Sequence, residues 1–568
     1  MLGKLNCYVK RFGVFLIMAA LIAGMAGCDG GGGGNYCYLT IASTYGGSVI
    51  TPGEGYFYYA ANTTVELVAV PNEHYHFVNW TGNVSDIADV NAAATNITMN
   101  HSFYFISANF ELDPGWYSLT ISSTEGGSVT TPGEGTFVYA TNTTVDLAAQ
   151  PNGYPFVKWT GDVGTIANVE AAATNITMYS SYSITAHFGI KIWDWPDLDA
   201  IRDNLGGRYY LMNDLNSTTA GYMELASPTA NGGKGWHPIG TISDESSFTG
   251  TFDGLGHEIR DLFINRPDEY TVGLFGRVIS GIIKGVGVVN ATVTGNEGVG
   301  SLVGWAGQIT VSNSYSTGIV TGYSSVGGLI GVGDGWINNC YSTGSVTGNE
   351  SVGGLVGESY AHLSNSYSSG TVTGGSHVGG LVGTNGCPGV VSNSYSTGNV
   401  SGDTSVGGLV GYNYQILSGS YSTGSVTGNE SVGGLIGWNG FAGTVSNSYS
   451  TSSVTGNSSV GGLVGLNDIG SSVSDSYSTG SVIGNSSVGG LVGVNQGTVS
   501  SSFWDIQTSG QATSAGGTGK NTTEMQDIAT FSGAGWNIIT VALNETNPAY
   551  IWNIVDDVTY PFLSWQPV

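Results

Sequence analysis

Few residues in this chain have types and spacings that could do chemistry. His257 and Glu258 begin a pattern in which two histidines, four residues apart on a helix, hold a zinc ion beside a glutamate base. The second histidine is missing, because Asp261 stands four residues after His257, and the segment has the alternation of a strand. Asp-rich calcium loops are also missing. We therefore expect no bound metal and no other cofactor.

Carboxylates are the second group to consider, because enzymes that cleave or eliminate sugar chains use paired acids, often beside a basic residue. Residues 301–500 contain no Lys or Arg. Glu350 and Glu430 occupy the same Gly-Asn-Glu-Ser position three repeats apart. At the spacing of stacked strands they would lie roughly 14 Å apart, too far for a pair. An alternative site stays open near the start of the repeats, where we otherwise expect capping and turn roles for Asp214, Asp253, His257, Arg260 and Asp261.

Cys28 is a candidate for lipid modification. A basic start is followed by an apolar stretch over residues 14–27, which has the length of a signal peptide. The stretch ends in Met25-Ala26-Gly27-Cys28, which resembles a lipobox and implies an acylated Cys28. We predict a lipoprotein signal peptide over residues 1–27, a glycine-rich tether over 28–36, and a membrane partner reached through the lipid. Ordinary signal-peptide cleavage is the alternative.

Three further cysteines follow, namely Cys37, Cys340 and Cys387, and they lack the spacing of metal ligands. Cys340 stands where other repeats carry Ser, so we expect a small buried residue there. A Cys340–Cys387 bridge is not favoured, since the two lie nearly two repeats apart.

Two tandem modules, residues 37–112 and 116–189, repeat one pattern with Gly-Gly-Ser-Val, Pro-Gly-Glu-Gly and Phe-Val-x-Trp-Thr-Gly elements. Alternation in segments such as 64–69 predicts half-buried strands, and Pro-Gly and Gly-Gly pairs predict turns. Trp80 and Trp159 each follow an apolar Phe-Val pair, which favours core packing over exposed ligand platforms. The modules resemble the divergent B-repeats of internalin-type surface proteins, and this resemblance implies β-grasp-like spacers without catalytic activity.

The remainder is dominated by a repeat of 26–28 residues. Its Val-Gly-Gly-Leu-(Val/Ile)-Gly motif places leucines at Leu302, Leu329, Leu355, Leu381, Leu409, Leu435, Leu463 and Leu491. A Ser-Tyr-Ser motif in the same register, or a variant of it, places tyrosines at Tyr315, Tyr341, Tyr367, Tyr395, Tyr421, Tyr449 and Tyr477. Such a unit cannot bury its apolar face alone, so successive units must stack. We predict a parallel β-solenoid over residues 271–503, with the leucines as internal ladders and the tyrosines as a stacked column.

This array resembles the GLUG-motif family, seen for example in Gly328-Leu329-Ile330-Gly331. The resemblance implies a secreted or cell-surface architecture and no particular activity. The predicted fold class is therefore all-β: two small β-grasp-like modules, then a parallel β-helix or β-solenoid with capping segments.

Caps are expected at both ends of the solenoid, because open strand edges would recruit other chains. The first, residues 190–270, holds an amphipathic helix over 194–205 and a first coil at 248–254. The second, residues 504–568, is rich in tryptophan and contains a helix that we predict to start with a capping box of Thr523 and Gln526.

The formal charge of −27 makes nucleic acid an unfavourable partner. These features predict a non-enzymatic, lipid-anchored protein of the cell surface or envelope. Adhesion, envelope structure, and binding of a glycan or surface protein stay open. The alternative is a β-helix enzyme that degrades polysaccharides as a lyase or glycosidase.

Overall fold

The computed structural model describes residues 36–242 and 246–566. Cys28, the predicted signal peptide and nearly all of the predicted tether therefore lie outside the described residues. Strands make up 52% of the structure and helices 6%, with about nine solenoid turns after small β modules, so the predicted all-β fold class is confirmed. In the part of the chain that is described, no helix is both long and apolar enough to cross a bilayer.

The chain divides into two compact units. One holds the described residues up to Ser123 together with Ser128–Ala149 and Trp159–Ala186. The other holds Thr124–Gly127, Gln150–Lys158 and the chain from His187 onward.

Each N-terminal module has seven strands. In the first module they are Tyr36–Ser43, Gly47–Thr51, Gly55–Ala60, Thr64–Pro71, Tyr75–Gly82, Ala94–Thr98 and Phe103–Leu112. In the second they are Trp116–Ser123, Gly127–Thr131, Gly135–Ala140, Thr144–Pro151, Phe156–Gly161, Ala173–Thr177 and Tyr182–Phe188.

The first and last strands of the first module run parallel at the centre of a four-stranded sheet, and each has an antiparallel neighbour. A second sheet of three strands completes the module. Trp80 and Trp159 are buried in their modules, and each indole nitrogen donates to a backbone carbonyl, Ala92 O or Ala171 O, at 3.1 Å. The predicted core role of both tryptophans is confirmed.

The solenoid has three parallel faces. The first face contains 19 strands: Ile190–Ile192, Arg208–Leu211, Thr251–Asp253, Phe275–Ile279, Ile282–Lys284, Val303–Ser312, Ile330–Asn338, Val356–Ser359, His362–Ser364, Val382–Asn385, Val390–Ser392, Val410–Asn413, Ile416–Ser418, Ile436–Asn439, Thr444–Ser446, Val464–Asn467, Ser472–Ser474, Val492–Asn495 and Thr498–Ser500.

The second face contains 18 strands: Glu258–Arg260, Phe263–Asn265, Gly287–Thr294, Tyr315–Thr321, Tyr341–Ser342, Ser345–Thr347, Tyr367–Ser368, Val372–Thr373, Tyr395–Ser396, Val400–Ser401, Tyr421–Ser422, Val426–Thr427, Tyr449–Ser450, Val454–Thr455, Tyr477–Ser478, Val482–Ile483, Phe503–Asp505 and Thr518–Lys520. The third face contains nine: Tyr270–Val272, Glu297–Val299, Ser324–Gly327, Glu350–Gly353, Ser376–Gly379, Thr404–Gly407, Glu430–Gly433, Ser458–Gly461 and Ser486–Gly489.

The stack of strands starts earlier than the sequence indicated. Strand Thr251–Asp253, expected in the first coil, pairs with Arg208–Leu211, and that strand pairs with Ile190–Ile192. The prediction of residues 248–254 as the first coil was therefore wrong. The two earlier strands are short and lack the repeat motif, so periodicity could not reveal them.

Short helices lie at both ends of the solenoid. The expected helix near 194–205 is an α-helix, Trp195–Asp199, capped by Asp194 and continued as the 3₁₀ helix Ala200–Asp203. Among the described residues, the other helical segments are Tyr222–Leu225, Ala230–Gly233, Ile506–Ser509, Thr522–Met525 and Ile528–Ser532. The predicted capping box at Thr523 was wrong, because Asn521 and Glu524 form it. Asn521 precedes the first helical residue, and its side-chain Oδ1 accepts a hydrogen bond from the Glu524 backbone N–H at 2.9 Å.

The C-terminal segment covers both the end and the side of the solenoid. Strand Thr518–Lys520 pairs with Phe503–Asp505 and closes the second face. Beyond it, a small sheet of Ile538–Thr540, Trp552–Ile554 and Phe562–Leu563 packs with the helix Ile528–Ser532 over the last tyrosines of the column. The Tyr477 hydroxyl donates to Pro561 O at 2.5 Å, and burial raises the pKa of this phenol.

A backbone bend explains why Asn recurs two residues before the tyrosine of most repeats. The residue two positions before each column tyrosine adopts a positive φ of 46–56° at Asn313, Asn339, Asn365, Asn393, Gly419, Asn447 and Asp475. Asn, Asp and Gly tolerate this left-handed conformation better than other residues. The repeat therefore keeps these residue types at a bend between the first and second faces.

We expect Asn393→Gly to leave stability within about 0.5 kcal/mol of the parent. Asn393→Val should lose about 1–2 kcal/mol, because a β-branched residue is strained at a φ of 46°. Denaturant unfolding of both variants measures the difference, with Gly419→Asn as the reverse control. Equal stabilities of the Gly and Val variants would show that this bend does not select the residue.

Candidate functional site

A cleft of 530 Å³ opens on the solenoid where the third face meets the first. Its lining includes three carboxylates, an imidazole, three phenols and a thiol. We call it the acidic cleft and define it by Glu297, Glu350, Glu358, Tyr360, His377, Cys387, Tyr412 and Tyr414. Its volume falls in the range of small-molecule sites.

Strand register brings these residues together. On the third face, Glu297, Ser324 and Glu350 are aligned on successive turns. On the first face, Glu358, Thr384 and Tyr412 are aligned in the same way. Because stacked strands lie ~4.8 Å apart, residues separated by 26–28 positions in the chain become neighbours.

A bend in every third-face strand directs its second residue toward the first face of the next turn. The second residue has a φ of 50–52° at Ser325, Ser351 and His377. Ser325 Oγ donates to Glu358 Oε2 at 3.2 Å, and the Ser351 and Thr384 hydroxyls are 2.9 Å apart. His377 and Tyr412 continue the pattern with ring centroids 5.0 Å apart. The floor of the cleft is therefore formed by the same type of contact, between the third face of one turn and the first face of the next, repeated three times.

One carboxylate of the cleft, that of Glu358, is held by neutral donors. Glu358 accepts from the Tyr360 hydroxyl at 2.5 Å as well as from Ser325. Burial and this bond to Glu358 raise the pKa of Tyr360, so its proton stays in place. Since no Lys or Arg occurs between residues 285 and 519, the carboxylates have no basic residue of this stretch as a partner.

Aromatic rings form one wall. The centroid of Tyr412 lies 4.0 Å from that of Tyr414 and 4.8 Å from that of Trp438. Tyr414 in turn stacks on the exposed ring of Phe441, with centroids 5.9 Å apart. Burial and a bond with Tyr414 raise the pKa of Tyr412. This wall offers rigid ring surface and phenolic hydroxyls.

His377 adds no positive charge at neutral pH. Burial lowers its pKa, although the Glu350 and Glu358 carboxylates act in the opposite direction. The cleft can therefore supply negative charge, hydroxyl groups and aromatic surface. Across residues 36–242 and 246–566, no group of three or more His, Cys, Asp or Glu residues is arranged to hold a metal ion.

The buried position expected for Cys340 is confirmed. Cys340 is buried among the serines of its column, and burial raises the pKa of its thiol to about 12. Cys387 is exposed at the cleft. The two thiols are not bridged, as expected.

The sequence-predicted columns lie apart from the cleft. Every leucine of the motif, from Leu302 to Leu491, is fully buried inside the solenoid. The tyrosines stack on the second face with ring centroids 4.7–5.0 Å apart and interplanar angles of 1–7°. Tyr421, Tyr449 and Tyr477 are buried beneath the C-terminal segment, whereas the tyrosines from Tyr315 to Tyr395 are half-buried.

The alternative acidic group near the start of the repeats has structural partners. Asp253 is buried and pairs with Lys284 at 2.9 Å. Asp261 accepts from Asn290 Nδ2 at 2.8 Å, and His257 lies 3.2 Å from Asp214. Arg260 pairs with Glu258. The contacts of Asp253, Asp261 and His257 join neighbouring turns, whereas Arg260 and Glu258 pair within one strand.

Sequence reasoning missed the acidic cleft, although a signal was present. His377 stands at the third-face position where most other turns have Ser. Glu358 and Tyr412 stand in the first-face column whose neighbouring turns have Val332, Thr384 and Trp438. In a repeat protein, departures that carry functional groups and align on adjacent turns point to a site. Aligning the turns by register would have found it.

Family models match both parts of the chain. The divergent InlB B-repeat domain matches residues 37–114 and 117–191, and the GLUG motif matches residues 348–373, 402–427, 428–455 and 456–483. The chain thus carries two divergent InlB B-repeat domains followed by GLUG motifs, and the sequence-based identification of both is confirmed.

Two curated relatives share part of the chain. Halomucin of Haloquadratum walsbyi is 34% identical over 215 residues, which are 37% of this chain and 2% of halomucin. A provisionally named Gly-rich membrane protein of Evansella cellulosilytica is 38% identical over 110 residues, 19% of this chain and 12% of that protein. The chain spans only a small share of either relative. It is a repeat-rich, cell-surface-like protein.

Solved structures give weaker likenesses. A provisionally named immunoglobulin A1 protease from Bacteroides ovatus is 18% identical, with a TM-score of 0.30, over 67% of this chain and 93% of that one. An IgA1 protease is 16% identical, with a TM-score of 0.31, over 62% of this chain and 27% of that one. Likenesses at these TM-scores carry no argument about function.

Proposed function

We propose that this chain is a non-enzymatic, lipid-anchored protein of the cell surface whose solenoid binds a ligand in the acidic cleft. The observation that carries the proposal is the break in the repeat. The second residue of the third-face strands is Ser in most turns but is His377 here, and the facing first-face residues of this stretch include Glu358 and Tyr412. The two B-repeat modules act as spacers between the anchor and the solenoid.

Ligand binding at one cleft fits a regular scaffold. Its side chains are fixed by the ladder bonds of consecutive turns, so the cleft is held in one geometry before any ligand arrives. Glycans or surface proteins are the proposed ligands, and nucleic acid is disfavoured by a net charge of −27.

The anchor is tested by lipid labelling. In cells fed a labelled fatty acid, we expect the parent chain to carry label and Cys28→Ser to carry none and to leave the membrane fraction. Label that persists in the Cys28→Ser variant would contradict a lipid at this residue.

Binding is tested on a glycan array with the full-length protein in detergent. We expect bound glycans whose signal falls at least tenfold in Tyr412→Ala and Glu358→Gln, since both remove a lining group of the cleft. Glu430→Gln, at the same repeat position as Glu350 but three turns away, should bind like the parent. Binding that is equal in all variants would place the ligand elsewhere and contradict the proposal.

A polysaccharide-degrading enzyme is the second candidate, because two carboxylates, Glu350 and Glu358, line one cleft, as acid-base cleavage of sugar chains requires. Turnover on a panel of pectins and other uronans distinguishes the two. We expect no product above background from the parent chain. Product that disappears in Glu350→Gln and Glu358→Gln, or in Asp253→Asn and Asp261→Asn, would establish the enzyme instead.

A further inference from the structure

We propose that the acidic cleft recognises an amino-sugar chain through its ammonium groups. This inference rests on the proposed function, because it names the class of ligand that the same cleft takes. It is argued from the charge of the cleft, from its aromatic wall and from the chemistry of its lining.

The charge of the cleft is wholly negative. Between residues 285 and 519 there are nine acidic residues and no Lys or Arg: Glu297, Asp334, Glu350, Glu358, Asp403, Glu430, Asp468, Asp475 and Asp505. Three of the nine line this cleft. Burial keeps His377 neutral at pH 7, because it lowers the pKa of the imidazole. Phosphate, sulfate and uronate groups are repelled by such a site, and a cation is attracted.

The cation is organic rather than a metal ion. No group of three His, Cys, Asp or Glu residues in the described chain is arranged for a metal. Glu358 is already engaged by two hydroxyl donors, Tyr360 at 2.5 Å and Ser325 at 3.2 Å. Tyr414 and the neighbouring Tyr412 add phenol rings, which attract ammonium groups through their faces.

The lining favours a sugar over a basic peptide. A lysine side chain needs an apolar surface along its methylene groups. Serine, threonine and tyrosine hydroxyls line the cleft, and no aliphatic Val, Leu or Ile does so among the residues that the structure describes. Ser324, Ser351 and Thr384 can exchange hydrogen bonds with sugar hydroxyls. Hydroxyl-rich walls combined with carboxylates match a chain of glucosamine units.

The spacing of the carboxylates suits a repeating cation. Glu297 and Glu350 are aligned on the same column of the third face, two turns apart. At ~4.8 Å per turn they lie ~10 Å apart along the solenoid. A linear ligand with several ammonium groups can therefore meet more than one carboxylate, which strengthens binding over a single glucosamine.

Calorimetry with the full-length protein in detergent tests this inference, using glucosamine oligomers and their N-acetylated counterparts as probes. We expect the glucosamine hexamer to bind, and the acetylated hexamer, which lacks the ammonium groups, to bind at least tenfold more weakly. Glu350→Gln and Glu358→Gln should each weaken the hexamer at least fivefold, whereas Glu430→Gln should not. Raising the salt from 50 to 500 mM should weaken binding, since ions screen the attraction.

Three outcomes overturn the inference. Equal binding of the two hexamers would assign the cleft to neutral sugars, and tighter binding of oligolysine than of the glucosamine hexamer would assign it to basic peptides. Both results leave the proposed binding function intact. Failure of the hexamer to bind, while the glycan array still gives ligands sensitive to Tyr412→Ala, overturns the ammonium assignment alone. If no array ligand is sensitive to Tyr412→Ala either, the proposed function fails with it.

Discussion

Gly433→Ala should destabilise the solenoid by about 3 kcal/mol, because overpacking a filled interior costs this much. A β-carbon on Gly433 would lie 1.9 Å from the Ile436 carbonyl oxygen and 2.7 Å from the Gly465 amide of the next turn. Both contacts are with backbone, so no side chain can move aside to relieve them. The first glycine of the Val-Gly-Gly-Leu motif is thus required by the close approach of neighbouring turns. Denaturant unfolding followed by circular dichroism measures the loss.

Gly206→Ala is the matched control, since a β-carbon on Gly206 would have Thr249 Oγ1 as its nearest neighbour, 3.6 Å away. This exposed variant should unfold within about 0.5 kcal/mol of the parent. If Gly433→Ala were as stable as Gly206→Ala, the turns would not pack as closely as described.

Asn439→Ala should lose about 3 kcal/mol, because it breaks a buried ladder of amides that runs along the inside of the first face. Asn439 Nδ2 donates to Asn467 Oδ1 at 2.8 Å, and Asn439 Oδ1 accepts from Asn413 Nδ2 at 2.8 Å. Its Nδ2 also reaches the Gly443 carbonyl at 3.0 Å. Each buried group left without its partner costs about 1–3 kcal/mol. Denaturant unfolding checks this loss.

Asn495→Ala tests the same ladder at its end. Asn495 is half-buried and accepts from Asn467 Nδ2, which also donates to the Thr498 carbonyl. Its removal should cost about 1 kcal/mol. Equal losses at Asn439 and Asn495 would mean that the ladder bonds do not determine the effect.

Much of the solenoid could be predicted from the sequence, because each residue type that recurs in the repeat meets a local structural requirement. The leucine column follows from the need to bury one apolar side chain per turn. The tyrosine column follows from in-register stacking. The asparagine ladder from Asn385 to Asn495 was open to the same reasoning, since Asn recurs four residues after the motif leucine of every turn from Leu381 to Leu491.

The acidic cleft could not be predicted from the sequence of any single repeat. It depends on which turns are adjacent and on the backbone bend that brings His377 of one turn to Tyr412 of the next. Such contacts join residues 33–35 positions apart, a distance that periodicity alone does not reveal. The unit that forms the proposed site is therefore a set of successive turns, from that of Glu297 to that of Tyr412.

The C-terminal segment shows a second limit of sequence reasoning. Its tryptophans indicated a cap, and Trp504 does lie at the end of the core. Trp565, however, packs beside Tyr421, with ring centroids 5.8 Å apart, and Gln566 donates to the Tyr449 hydroxyl at 2.6 Å. The segment therefore lies along the side of the tyrosine column as well as over its end. The composition of the C-terminal segment predicts an aromatic cover, but it does not indicate which face of the solenoid the segment covers.

Excision of one complete repeat tests most directly whether each turn is stabilised by stacking on its neighbours. Removing residues 428–455, one GLUG motif, joins Thr427 to Gly456, which is equivalent to Gly428, and should leave a chain that unfolds cooperatively with its β-sheet circular dichroism retained. Removing only residues 428–441 puts the faces out of register and should abolish the ordered array. Loss of structure after the whole-repeat excision, or equal stability of the two deletions, would contradict the stacked solenoid.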